Sequence, residues 1–388
     1  MSISTCEDLR ASLTTSGPLA LCDALIAELR ERQDYHKLFD ALCLRKKQEM
    51  GLPLGKPTSL EDVPTDRRDD FEQSYMAAAR EVGQLLIAAG KLGQAWIYFH
   101  AIREPGPVRE ALEKYPVPRE STEQSEELLD LALFKGVHPE KGVLIMLKTH
   151  GTCSTITSLD QSFARLGTED RAKCAALLVK TLHEDLTGSI QREVQQRMPF
   201  APPARSMQEL LAGRDWLFAD NNYHIDVSHL NATVRFARSL PMGAPELKLA
   251  RELSEYGSHL SPQFQYTGEP PFQDYYPAHI QFFDFLLGAN RDESLAYFRK
   301  ALETEPDAAD KAMIAYVLVD LLVRVDRFAD ALPIAEEFLL TGDDEFSAAF
   351  AELCEKAGRY DVLQRTAEAR GDLVTFTAAL LQSAKPSA

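Results

Sequence analysis

Apolar residues recur at intervals of three and four along almost the whole chain. This spacing places them on one face of an α-helix, and no sustained alternation of apolar and polar residues indicates a β-strand. Segments rich in proline and glycine interrupt this helical pattern and separate it into blocks of paired helices. These segments are 51–57, 103–121, 199–205, 240–245 and 266–277. The chain is therefore predicted to be all-α, with helical hairpins between the breaks.

One hairpin is predicted in detail from residues 79–107. Gly83 lies on its first helix, Gly90 closes that helix, Ala95 and Phe99 lie on the second helix, and Pro107 stops it. A small residue facing a large one across two helices lets the helices pack closely. The order and spacing of Gly83, Ala95, Phe99 and Pro107 resemble those of the tetratricopeptide repeat.

The C-terminal part, residues 280–372, repeats this pattern at an irregular period. Phe298, Ala301 and Pro306 fit the second helix of such a repeat. Two further hairpins each have a short turn before an aromatic residue, Phe328 or Tyr360, that begins the second helix. The resemblance covers about half of the chain, and the repeats are degenerate.

The resemblance implies a right-handed solenoid of helical hairpins whose groove binds a peptide or protein segment. We predict four parts, one of which is an irregular central block. They are N-terminal hairpins at 1–122, the central block at 123–260, an aromatic connector at 261–279 and tetratricopeptide-like repeats at 280–388.

Charge and cysteine content restrict the partners. The chain has 42 basic and 59 acidic residues, a formal net charge of -17. This charge repels nucleic acid and anionic membranes and favours a basic or neutral partner segment. The sequence contains no apolar run of membrane-spanning length, and its six cysteines form no C-x-x-C pair, so we expect a cytoplasmic protein without a zinc ribbon.

The segment "NNYHIDVSHL", residues 221–230, is the main candidate for chemistry in the central block. His224, Asp226 and His229, together with His150, have the side chains of a divalent-metal site. The simpler interpretation is a corner between helices, with Asp226 as the N-cap of a helix that starts near residue 227. The spacing matches no established zinc motif, and this metal is the only cofactor that the sequence suggests.

Two further positions are candidates for catalysis. Cys153 would lie at a helix N-terminus three residues from His150, where the helix dipole favours a thiolate. The alternative is a buried cysteine in a turn that Thr152 or Ser154 caps. Glu184, in "LHEDL", would act as a base beside the metal, although a solvated helix face is the favoured interpretation.

The aromatic segment 264–285 contains eight aromatic residues and three prolines. Phe272, Tyr275 and Tyr276 would contact a partner if this segment were exposed. Burial as an internal clamp is the favoured interpretation, because so much exposed aromatic surface promotes aggregation.

Three functions follow from these observations. The first is a cytoplasmic scaffold that binds a protein or peptide and has no catalytic activity of its own. The second is a metal-dependent enzyme or sensor that uses the histidines and carboxylates of the central block. The third is a structural subunit of a larger assembly.

Overall fold

A computed structural model describes residues 6–200, 206–340 and 347–384. These residues form α-helices joined by short turns, and they contain no β-strand. The predicted all-α class is confirmed. Within the same ranges, every helix is too short or too polar to cross a bilayer.

The chain divides into two compact units, Met1–Leu166 and Gly167–Ala388. This division falls inside the predicted central block, 123–260, and the four predicted parts stay predictions. In the first unit the α-helices are α1 Cys6–Ser16, α2 Pro18–Glu31, α3 Tyr35–Glu49, α4 Arg68–Ala88, α5 Leu92–Ala101, α6 Gly106–Lys114, α7 Glu123–Leu129, α8 Pro139–Thr149 and α9 Gly151–Ser162. A π-helical turn, Asp130–Phe134, continues α7.

The second unit begins with its longest helix. Its helices are α10 Thr168–Arg197, α11 Met207–Leu211, α12 Val227–Phe236, α13 Glu246–Ser258, α14 Tyr275–Leu287, α15 Arg291–Thr304, α16 Ala308–Arg324, α17 Phe328–Phe338, α18 Ser347–Lys356, α19 Tyr360–Arg370 and α20 Leu373–Ser383. Helix α10 packs against α11, α12 and α13, and from α13 onward each helix packs against the next. Both units therefore consist of helical hairpins packed together.

The hairpin formed by α4 and α5 shows why small and large residues alternate. Ala95 and Phe99 are fully buried, and a Cβ atom at Gly83 would overlap the ring of Phe99. Gly90 ends α4 in the left-handed conformation, as predicted. The prediction for Pro107 was wrong: α5 already ends at Ala101, and this proline lies in the first turn of α6.

The C-terminal hairpins also follow the predicted turns. Helix α17 begins at Phe328 and α19 begins at Tyr360, each after a short turn from the preceding helix. Helix α15 ends at Thr304, two residues before Pro306. Helix α20 lies in the predicted C-terminal part, 280–388, beyond the stretch 280–372 that carries the resemblance.

One predicted helix is broken. The sequence pattern of residues 206–220 suggests a single helix, but α11 ends at Leu211 and a 3-10 segment spans Asp215–Asn221. Gly213 lies between them with a φ of 68°. A left-handed residue cannot continue a right-handed helix, so the chain changes direction here.

A second close approach joins α13 to α14. A Cβ atom at Gly257 would overlap the fully buried ring of Tyr276. The two helices can pack at this distance only because residue 257 has no side chain.

We predict that Gly257→Ala lowers the free energy of unfolding by about 2 kcal/mol, because the added methyl group displaces Tyr276. The matched control is Gly188→Ala in the middle of α10, where no atom lies within 4 Å of the new Cβ. There the better helix propensity of alanine is expected to stabilise the chain by about 0.5–1 kcal/mol. Urea unfolding measures both changes, and the same sign in both variants would contradict the predicted packing.

Candidate functional site

The corner at residues 221–226 is held by a buried hydrogen-bond network. The backbone N–H of His224 donates to the Tyr256 hydroxyl at 2.8 Å, and that hydroxyl lies 3.1 Å from His224 Nδ1. His224 Nε2 lies 2.9 Å from a carboxylate oxygen of Glu193. The carboxylate also accepts from the side-chain amide of Asn222. The corner is thereby bonded to both α10 and α13.

This pattern assigns the protonation of the His224 ring. A neutral ring with its proton on Nε2 donates to Glu193 and accepts the Tyr256 O–H at Nδ1. Burial lowers the pKa of His224, and Glu193 acts in the opposite direction. Burial also raises the pKa of Tyr256 to about 12. The network holds the corner in place. Because the His224 side chain is only 2% exposed and both ring nitrogens are hydrogen-bonded, neither nitrogen is available to a ligand.

The predicted N-cap is confirmed. Helix α12 begins at Val227, and the Asp226 carboxylate accepts the backbone N–H groups of Ser228 and His229. The Ser228 hydroxyl, which donates to the same carboxylate, lowers the pKa of Asp226 most, and the backbone bonds lower it further. His150 lies in the first unit, where its ring contacts Thr149 and Glu126.

Within the described ranges, no three His, Cys, Asp or Glu side chains are grouped as a metal site requires. The assignment of His150, His224, Asp226 and His229 as metal ligands stays a prediction.

The catalytic candidates lie on helix surfaces. Cys153 is exposed in the first turn of α9. The predicted caps were wrong, because α9 begins at Gly151 and Thr152 and Ser154 lie within it. Glu184 is exposed on α10, whereas its neighbour His183 turns inward and lies 2.7 Å from Glu252.

The three aromatic candidates for partner contact are buried. Phe272 is 3% exposed, Tyr275 is 4% exposed and Tyr276 is fully buried. Both tyrosine hydroxyls donate to Asn231 on α12. Tyr275 begins α14, so part of the predicted connector is helical. Of the two interpretations of this segment, burial is the one that the structure shows.

His279 lies in the same aromatic cluster. Its Nδ1–H donates to the Tyr275 carbonyl, its ring stacks on Phe272 at 4.3 Å, and its Nε2 is buried without a partner among the described residues. Burial, reinforced by the charge of Arg238, lowers the pKa of His279 to about 3.

An open cleft of roughly 480 Å³ lies at the C-terminal end of α5. Its lining residues are Trp96, His100, Ala101, Arg103 and Pro105. The rings of Trp96 and His100 lie one helical turn apart, with centroids separated by 4.9 Å. An indole, an imidazole and a guanidinium therefore share one accessible surface.

The backbone at the end of α5 fixes the position of Arg103. The Glu104 N–H donates to the Phe99 carbonyl and the Arg103 N–H donates to the His100 carbonyl, which together form a Schellman motif. Arg103 has a φ of 57°, a conformation in which glycine is favoured. An arginine at this position costs about 1 kcal/mol relative to a residue that adopts this conformation freely.

The charge of Arg103 is not neutralised by its neighbour. Both carboxylate oxygens of Glu104 accept from Arg80, at 2.8 and 2.7 Å. Among the residues that the structure describes, Arg103 has no ion-pair partner. The cleft is thus lined by an unpaired guanidinium and by an indole, which can bind a carboxylate and pack against an apolar side chain.

This site was not among the sequence-based predictions. A signal was present: Trp96 is one of only two tryptophans, it stands four residues before His100, and the Arg-Glu-Pro turn follows. Helical spacing places the two rings on one face. The free charge of Arg103 had no comparable signal, because it depends on the pairing of Glu104 with Arg80.

Comparisons of the chain with protein-family models, curated proteins and solved structures gave no match.

We predict that acid destabilises the second unit through His279. Because its folded pKa is below the unfolded value of 6.5, the unfolded chain binds more protons between these values. Stability is therefore fully present above about pH 6.5 and falls by up to about 1.4 kcal/mol per pH unit below it. Between about pH 6.5 and 5, His279→Phe is expected to lose about 1–2 kcal/mol less than the parent chain.

The measurement is urea unfolding in a Trp96→Phe background, where Trp216 is the sole tryptophan and reports on the second unit. His259→Phe, at the exposed end of α13, is the control and should keep the parent pH dependence. An unchanged pH dependence in His279→Phe would exclude His279 as its origin.

Proposed function

We propose that the protein binds a peptide segment of another protein and that the cleft at Trp96, His100 and Arg103 anchors this segment. The observation that carries the proposal is an accessible cleft lined by both the unpaired Arg103 and Trp96. Tryptophan and arginine are the side chains that most often dominate binding energy at protein interfaces.

The chemistry of the cleft defines the peptide. A carboxylate would pair with Arg103, and an adjacent apolar side chain would pack against Trp96. The net charge of -17 favours basic residues in the flanking parts of the partner. We therefore expect a mainly basic or neutral segment with one acidic residue, or a terminal carboxylate, next to an apolar residue.

The proposal extends to the architecture. Degenerate tetratricopeptide-like repeats arranged as a solenoid are supported by two features. One is the close approach of Gly83 to Phe99, and the other is the short turn before each of Phe328 and Tyr360. Such repeats typically act by binding and not by catalysis. A cytoplasmic location is part of the same proposal, since the six scattered cysteines form no pairing motif.

Arg103→Glu is predicted to weaken peptide binding by at least about 2 kcal/mol, roughly thirty-fold, because it replaces the attraction for a carboxylate by repulsion. The probe is a displayed random-peptide library selected on the parent chain, and the enriched peptides are then titrated by fluorescence of Trp96 in a Trp216→Phe background. Trp96→Ala should abolish enrichment of the same peptides.

Arg299→Glu is the matched control, because Arg299 is an exposed arginine on α15 and its reversal changes the net charge equally. It should leave the affinity unchanged within about two-fold. Failure to enrich any peptide, or equal loss in Arg103→Glu and Arg299→Glu, would refute an anchoring role for the cleft.

Arg103→Gly separates stability from binding. Glycine adopts the φ of residue 103 without strain, so the first unit should gain about 1 kcal/mol in free energy of unfolding. The same change removes the guanidinium and should weaken binding of the enriched peptides by roughly ten-fold or more. Urea unfolding followed by Trp96, beside peptide titration, tests both effects, and loss of stability together with affinity would indicate a structural role only.

A further inference from the structure

Helix α20 turns an apolar face away from the rest of its unit. Leu373 is 77% exposed, Val374 82%, Leu380 49% and Leu381 63%. Single exposed apolar residues are common at protein surfaces, but three leucines and a valine on one short helix form a continuous patch. This patch, the α20 stripe, consists of Leu373, Val374, Thr377, Ala378, Leu380 and Leu381.

The stripe is opposite the face that α20 buries against α19. The more buried positions are Thr375, Phe376, Ala379 and Gln382, and they recur at the spacing of one helical face. The helix is therefore already packed on its inner side, while its outer side remains apolar. Helical-repeat proteins usually place polar residues on the outer face of such a helix, which keeps them soluble.

The charge around the stripe is unlike that of the whole chain. Helix α20 contains no charged residue, and residues 348–384 contain four basic and five acidic residues, against a net charge of -17 for the chain. Several of these charges are already paired, such as Lys356 with Glu352 and Arg359 with Asp361. A basic partner would gain little electrostatic attraction at the α20 stripe, whereas a second copy of the same surface would meet almost no charge repulsion.

The stripe also has the symmetry that self-pairing requires. Bulky residues lie at both ends, Leu373 with Val374 and Leu380 with Leu381, and the small residues Thr377 and Ala378 lie between them. In an antiparallel pair related by a two-fold axis, each bulky end would meet the other bulky end, and the small centres would let the helices approach.

We infer that the α20 stripe is the interface of a homodimer, in which α20 of one copy packs antiparallel against α20 of a second copy. The two-fold axis would pass near Thr377. This interface lies in the second unit and is independent of the peptide cleft on α5.

The test is sedimentation velocity of the full chain over a range of concentrations. The expected result is a species of twice the chain mass. Leu381→Glu should weaken this dimer by at least about a hundred-fold, because symmetry places two desolvated carboxylates in each interface. Tyr316→Glu, on α16, is the matched control, since Tyr316 is 60% exposed and similarly apolar, and it should dimerise like the parent chain.

Cross-linking tests the register. In a background where the exposed cysteines Cys6 and Cys153 are replaced by serine, Thr377→Cys should form a disulfide between copies, and Tyr316→Cys should not. A parent chain that is monomeric at every concentration, or a dimer that Leu381→Glu leaves intact, would overturn the inference. A dimer that Leu381→Glu dissociates but that Thr377→Cys does not link would overturn the antiparallel arrangement.

Discussion

Close packing between helices that follow one another in the chain is the constraint on which both units depend. Each amphipathic helix must cover one apolar face, and in these units its chain neighbours cover it. Two neighbouring helices pack especially closely where a glycine on one faces an aromatic ring on the other, at Gly83 with Phe99 and at Gly257 with Tyr276. Faces that no neighbour covers are left for other contacts, and both proposed binding surfaces lie on such faces.

Local features of the fold could be predicted from the sequence. The three- and four-residue spacing identifies helices, and the turns before Phe328 and Tyr360 mark their pairing. The N-cap at Asp226 depends only on contacts within residues 226–229 and was predicted correctly. Errors arose where a backbone conformation was decisive: Gly213 breaks a helix that periodicity alone continues, and the Schellman motif ends α5 before Pro107.

The site chemistry was harder to predict because it depends on residues distant in sequence. The side chain of His224 is bonded to Glu193 and Tyr256 on two other helices, and spacing within the segment 221–230 does not indicate these partners. The free charge of Arg103 likewise depends on Arg80 holding Glu104. For α20, the sequence shows an uncharged apolar helix, but only the packing on α19 shows which side is left open.

Backbone strain alone does not identify a functional residue in this protein. Gln33 follows α2 in a left-handed conformation with the same pair of hydrogen bonds as Arg103, yet its side chain carries no charge. What distinguishes Arg103 is the coincidence of a strained backbone, an unpaired charge and a cleft that it shares with an indole. Each feature has a cost or a simpler explanation by itself, and the peptide binding that we propose would use all three together.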